Sequence, residues 1–161
     1  MKKIILASKS PRRIEMLKRY VDDIIIFSPD TEEKINPLDL PQTTVMKVAF
    51  EKALKASMCC RNKGLIIAAD TIVYLDKIMG KPKDENEAYE MLSFLSGRTH
   101  YVFTGICIMD METLKKIVDY EKTEVVFNAY TQDFIKRYLS TNEYLDKAGA
   151  YGIQGYGELL V

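Results

Sequence analysis

Histidine, cysteine and net charge are the scarce commodities of this 161-residue chain. It has one His, three Cys, and 23 Lys and Arg balanced by 23 Asp and Glu. A balanced charge argues against binding nucleic acid through a charged surface, although a local basic cluster can still hold a small polyanion. One histidine and no Cys-x-x-Cys pair exclude a structural zinc site of the usual kind. Cys59 and Cys60 are adjacent in a helical pattern and Cys107 falls in a strand pattern. No disulfide framework is readable, which fits a reducing compartment. Long apolar runs are missing too: Ile24-Ile25-Ile26-Phe27 and residues 65–69 are far too short to span a bilayer. The basic start Met1-Lys2-Lys3 leads into only four apolar residues before Lys9, Arg12 and Arg13, too few for a signal-peptide core. A cytoplasmic protein is expected.

What is present is ordinary globular material, 47% hydrophobic and 29% charged, with 10 Tyr and 6 Phe. That composition builds one domain, or two small lobes sharing a core, rather than a disordered chain. Residues 3–7 and 24–28 read as strands. Ser10-Pro11 reads as an N-cap with proline at the first helical position, opening a helix to about Tyr20. Residues 28–42, with Pro29, Pro37 and Pro41 among acidic residues, read as a loop. Thr43 or Thr44 then caps a long helix with Val45, Val48, Ala49, Lys52, Ala53 and Ala56 at helical spacing. Residues 65–75 are strand-like but interrupted at Asp70-Thr71, and Asp76-Lys77 turns into Ile78-Met79. Asp84 with Glu87 opens a helix through Leu95. Residues 100–109 and 114–127 alternate as a long hairpin, and Thr131 caps a last helix to Leu139. No repeat or low-complexity tract occurs. Strands alternating with helices, plus one antiparallel hairpin, predict an α/β fold with a mixed sheet.

Four places offer chemistry. Ser8-Lys9-Ser10-Pro11-Arg12-Arg13 puts hydroxyls, guanidinium groups and helix-start amides at a strand-to-helix turn, a set that suits phosphate oxygens. It equally fits a plain helix start with solvated arginines, and no P-loop or dinucleotide signature accompanies it. Asp70-Thr71 follows four apolar residues, so its carboxylate needs a partner: a metal ion, a cation, or backbone amides at a bulge. Glu32-Glu33 in the acidic loop offers a further ligand or is a solvated pair. Lys52 and Lys81 are further cations of a type that is mostly exposed. Gly149, Gly152, Gly155 and Gly157 imply a tight, backbone-exposed loop that either approaches a ligand or merely turns. His100 reads as a structural hydrogen bonder at a strand start.

Seven segments in order, residues 8–13, Glu33, Glu51-Lys52-Ala53, residues 69–73, Gly80-Lys81-Pro82, residues 96–100 and residues 146–155, resemble the Maf family of nucleoside triphosphate pyrophosphatases. The resemblance covers almost the whole chain. It implies an elongated mixed sheet with flanking helices and a central cleft, similar in shape to inosine triphosphate pyrophosphatases. Family members run some tens of residues further than Val161, so the chain is expected to be a single two-lobed domain lacking that segment.

The activity implied by the resemblance is hydrolysis of the α–β phosphoanhydride of a nucleoside triphosphate to the monophosphate and pyrophosphate, with Mg²⁺ or Mn²⁺. Carried onto matching positions, Asp70 is the proton acceptor for the attacking water and a metal ligand with Glu33. Ser8, Arg12, Arg13, Lys52 and Lys81 bind the triphosphate. Arg12, Thr71 and Gln154 match the positions that separate the dTTP/UTP branch from the 7-methyl-GTP branch and favour dTTP and UTP. A homodimer is compatible with the resemblance, and neither membrane nor nucleic-acid partners are expected. A competing class is a nucleotide-binding regulator of division with little turnover.

Overall fold

The computed structural model describes residues 2–31, 35, 36 and 38–161. Short β-branched and aliphatic runs bounded by turn residues form strands, as expected of sequences that fit a pleated, buried surface. Strand β1 (Lys3–Leu6) leads through Ser10 into helix α1 (Pro11–Lys18), strand β2 (Ile24–Ile26) and helix α2 (Pro41–Cys59). Strands β3 (Gly64–Leu75) and β4 (Lys77–Met79) follow, then helix α3 (Glu85–Leu95), strands β5 (Thr99–Asp110) and β6 (Lys116–Val126), and helix α4 (Gln132–Ser140). Two short 3₁₀ segments, Ala148–Ala150 and Gly155–Leu160, complete the chain.

The strands form one mixed sheet in the order β2-β1-β3-β5-β6, with β4 on β3. β1 is parallel to β2 and to β3, with Ile5 opposite Ile25 on one side and Ile66 on the other. β4 returns antiparallel along β3. The expected β5–β6 hairpin is there: the Asp110 N–H donates to Lys115 O at one end, and the Phe127 N–H donates to Arg98 O at the other. The mixed α/β sheet with flanking helices anticipated from the alternation of elements is therefore the fold.

The chain divides into two compact units, Met1–Asp70 with Thr104–Glu121, and Thr71–Phe103 with Lys122–Val161. β3, β5 and β6 each run from one unit into the other. In the first unit, Ala49, Ala53 and Ala56 of α2 pack against Ile5, Ile66, Ala68, Cys107 and Met109 of the strands. Small residues on that helix face let it lie close to the sheet. In the second, Ala88, Leu92 and Leu95 of α3 and Ile135, Tyr138 and Leu139 of α4 enclose Val73, Val125 and Phe127 with Tyr144, Tyr151 and Leu160. Each fully buried leucine of this cluster contributes about 2 kcal/mol.

Three local expectations are corrected. Helix α2 begins at Pro41 with Leu40 at its N-cap and no side-chain cap, so residues 41 and 42 are helix rather than loop. Thr44 is not a cap but a buried interior residue whose hydroxyl donates back to Leu40 O at 3.2 Å. β3 runs unbroken through Asp70 and Thr71, because a partner from α2 meets the carboxylate. Ser10 does occupy the N-cap of α1, but its side chain makes no cap bond.

Candidate active site

In the first unit, β1 ends on buried Leu6, and the N–H of the next residue, buried Ala7, donates to Ile67 O at 2.8 Å, which sets the end of β1 beside β3. Ser8 therefore leaves the sheet at the carboxyl end of parallel strands, the edge at which open α/β sheets characteristically bind ligands. Ser8 is buried, and its Oγ accepts from the Ser10 N–H at 3.2 Å. The hydroxyl that organises the helix start is thus that of Ser8 rather than Ser10. Arg13, on the first turn of α1, turns back to donate from Nη1 to Ala69 O at 2.7 Å, with Ser8 Oγ at 3.5 Å. Arg12 beside it is exposed.

Asp70 closes this cluster. Its side chain is only 9% exposed, and Nζ of Lys52, whose side chain is 12% exposed, donates to Oδ1 at 2.7 Å. Lys52 flanks the alanine face of α2, so the face that packs the helix onto the sheet also delivers its ammonium to the strand. Neither ion would be stable here alone, and removing one partner of such a pair costs several kcal/mol. Of the readings open for Asp70 in the sequence, a cation partner is what the structure supplies.

The acidic loop enters this unit at Asp30, which pairs with Lys9 at 3.6 Å and accepts from Lys55 Nζ through its carbonyl. Asp30 carried no signal in the sequence beyond its charge. Glu33, expected as a metal ligand, lies outside the described residues. Among the described residues, no three His, Cys, Asp or Glu side chains stand close enough to hold a metal ion by themselves.

In the second unit, Thr71 is half-buried in β3, and Lys81 is exposed just beyond β4. Gly80 O accepts from the Gly149 N–H at 3.0 Å, which ties the Lys81 segment to the glycine-containing loop. Gln154 is exposed and extended (φ −112°, ψ 152°), immediately before the second 3₁₀ segment. That loop is less exposed than its glycines suggested, since Gly149, Ala150, Tyr151 and Gly157 are all buried.

His100 is a structural residue, as expected. It is fully buried against Phe127 and Tyr151. Its Nδ1 faces Arg98 O at 3.4 Å and its Nε2 lies 2.7 Å from Tyr151 Oη. A carbonyl can only accept, so Nδ1 carries the proton and Nε2 accepts from the tyrosine. Burial raises the Tyr151 phenol, which keeps its proton for that bond, and lowers His100 below its ordinary value of 6.5. As pH falls through about 6.5 the unfolded chain binds a proton at His100 before the folded chain does, so stability drops from there downward. Urea midpoints should decline between pH 7 and pH 5, and His100→Gln, which cannot titrate, should show a shallower decline. Asp110, held down to about 2 by Lys2 and the Glu112 amide, acts below about pH 5 and leaves that window clear.

The family described as Maf-like protein matches residues 3–161. The chain belongs to the Maf family. Relatives named dTTP/UTP pyrophosphatase include one from Pyrococcus furiosus, 51% identical over 162 residues, spanning 100% of this chain and 83% of the relative. One from Alkaliphilus oremlandii is 48% identical, over 100% of this chain and 84% of the relative. A third, from Clostridioides difficile, is 47% identical, over 98% and 81%. Among solved structures, this Maf chain resembles the Staphylococcus aureus Ham1 protein (TM-score 0.57, 16% identity, 78% of this chain and 72% of that one). It also resembles a dITP/XTP pyrophosphatase from Mycobacterium abscessus (TM-score 0.50, 14% identity, 78% and 72%). At these identities the likeness establishes the Maf chain's fold alone. Among its described residues, no helix is long and apolar enough to cross a membrane.

Proposed function

We propose that this Maf-family chain hydrolyses the α–β phosphoanhydride of dTTP and UTP, releasing the nucleoside monophosphate and pyrophosphate in the cytoplasm. The buried Lys52–Asp70 pair, one residue along β3 from the Ala69 carbonyl that Arg13 holds, is the observation that carries the reading. It supplies a carboxylate and an ammonium in the unit that also holds the Ser8 hydroxyl and the Arg13 guanidinium, in a chain whose relatives are named for that activity.

Phosphoryl chemistry asks the protein mainly for positioning and for positive charge where negative charge develops. Asp70 accepts the proton of the water that attacks the α-phosphorus. Lys52 holds Asp70 in place and brings positive charge to the phosphates. Arg13, fixed to Ala69 O, keeps the start of α1 against the strand that carries Asp70. Ser8, Arg12 and Lys81, with the remaining donors of Arg13, complete the triphosphate contacts. Thr71 and Gln154 read the base, because an amide can both donate to and accept from a uracil-type edge.

A divalent cation, Mg²⁺ or Mn²⁺, fits this chemistry: Mg²⁺ is usually held by one or two carboxylates together with substrate phosphates, and Asp70 and Glu33 would be those carboxylates. When bound, the ion would neutralise charge on the triphosphate and on the departing pyrophosphate.

The test is pyrophosphate release from purified protein across dTTP, UTP, CTP, GTP and 7-methyl-GTP. Release confined to dTTP and UTP, and abolished by a chelator, is the expected outcome. Turnover of 7-methyl-GTP alone would place the chain in the other branch. Silence on every nucleotide from a folded sample would overturn the proposal.

A further inference from the structure

Glu143 stands in the second unit, in the turn after α4, and its carboxylate reaches across more than ten residues of chain to the loop that follows Gln154. Oε1 accepts from the Tyr156 N–H at 3.1 Å and Oε2 from the Gly157 N–H at 3.3 Å. Two oxygens on two successive amides fix both the position and the rotation of that stretch of backbone, as bidentate acceptance by an ionised group generally does. The approach is close: a Cβ at position 155 would lie 2.4 Å from Oε1, and Gly155 sits at φ +70°, where a side chain is strained. Glu143 is anchored in turn at its own backbone. Its N–H donates to Thr141 Oγ1 at 3.2 Å, and its carbonyl accepts from Lys147 Nζ.

Gln154 is one peptide from the clamped segment, extended and exposed. With Tyr156 and Gly157 held, the path of the chain out of Gln154 is set, and mainly its side-chain torsions remain to be chosen. We infer that Glu143 is a positioning residue for base selection, holding the backbone so that the Gln154 amide meets the nucleobase in one orientation. This rests on the reading of Gln154 as the residue that recognises the base. Glu143 touches neither the substrate nor the reacting atoms, and its effect falls on discrimination rather than on the chemical step.

Glu143→Gln keeps the size but turns an NH₂ donor toward one of the two amide donors. In steady-state assays, KM for UTP should rise about tenfold and the preference for UTP over CTP should fall about tenfold, with kcat within about twofold of the parent. Gly155→Ala perturbs the same contact from the loop side and should reproduce that pattern. Should Glu143→Gln fail to fold, Gly155→Ala decides the matter. A merely structural role is separated by a double-mutant cycle: in a Gln154→Ala background, Glu143→Gln should cause no further loss of discrimination. An unchanged UTP:CTP ratio in both variants, additive losses in the cycle, or a fall in kcat at constant KM would overturn the inference. A parent protein indifferent to the base would instead overturn the reading of Gln154 beneath it.

Discussion

Replacing Asp70 with asparagine is expected to lower pyrophosphate release from UTP by a factor of about a hundred to ten thousand, the range that loss of a positioned general base commonly produces. The substitution is nearly isosteric, so the strand and the cluster around it should persist. What changes is the charge and the ability to take a proton. Lys52, its side chain 12% exposed, keeps an oxygen to donate to, but its ammonium loses the anion that balanced it. Removing one partner of a buried pair outright costs about 3–5 kcal/mol. With the hydrogen bond retained, roughly 1–3 kcal/mol is more reasonable, lowering the melting temperature by about 3–10 °C for a domain of this size. Thermal melting and initial rates on the same sample separate the two effects, because a loss of that size in fold stability leaves the protein folded at assay temperature. Asp70→Asn with near-parental turnover would remove Asp70 from the role of base.

The features legible in the sequence are those with local causes. Asp84 accepts from the Glu87 N–H at 2.8 Å and Thr131 from the Phe134 N–H at 3.3 Å, and both caps follow from a spacing of three residues. The β5–β6 hairpin follows from alternation. The errors arise where a local signal has two readings or where distant chain decides. Pro41 looked like loop punctuation, yet proline is well suited to a helix start because its missing N–H would have had no helical partner there. Thr44 looked like a cap and is instead packed inside the helix–sheet layer. Asp70 looked like a break in its strand because its partner, Lys52, is 18 residues away in sequence. Glu143 carried no signal at all: an acidic residue in a turn resembles any solvated one until the loop 13 residues later is folded against it. That Arg13 donates to a backbone carbonyl of the strand was not readable from the sequence either.

Gly105→Ala, a single methyl added to β5 in the first unit, should be strongly destabilising. An isolated glycine inside a strand often marks a close backbone approach, and here the approach is to helix α2. A Cβ at position 105 would stand 2.4 Å from both the carbonyl carbon and the oxygen of Val45, and 2.7 Å from the Met46 nitrogen. All three atoms are backbone, so no rotamer change relieves the contact, and the helix or the strand must move. Overpacking of this kind costs about 3 kcal/mol or more, a fall in melting temperature of about 6–12 °C. Lys52 lies two helical turns beyond Val45, so a displaced α2 also draws the ammonium from Asp70. Turnover should therefore fall along with stability, unlike a change confined to the second unit's core. The decisive comparison is the double variant Gly105→Ala with Val45→Ala. If the clash were with the valine side chain, trimming it would restore the melting temperature; with backbone as the obstacle, the double variant should melt no higher than Gly105→Ala.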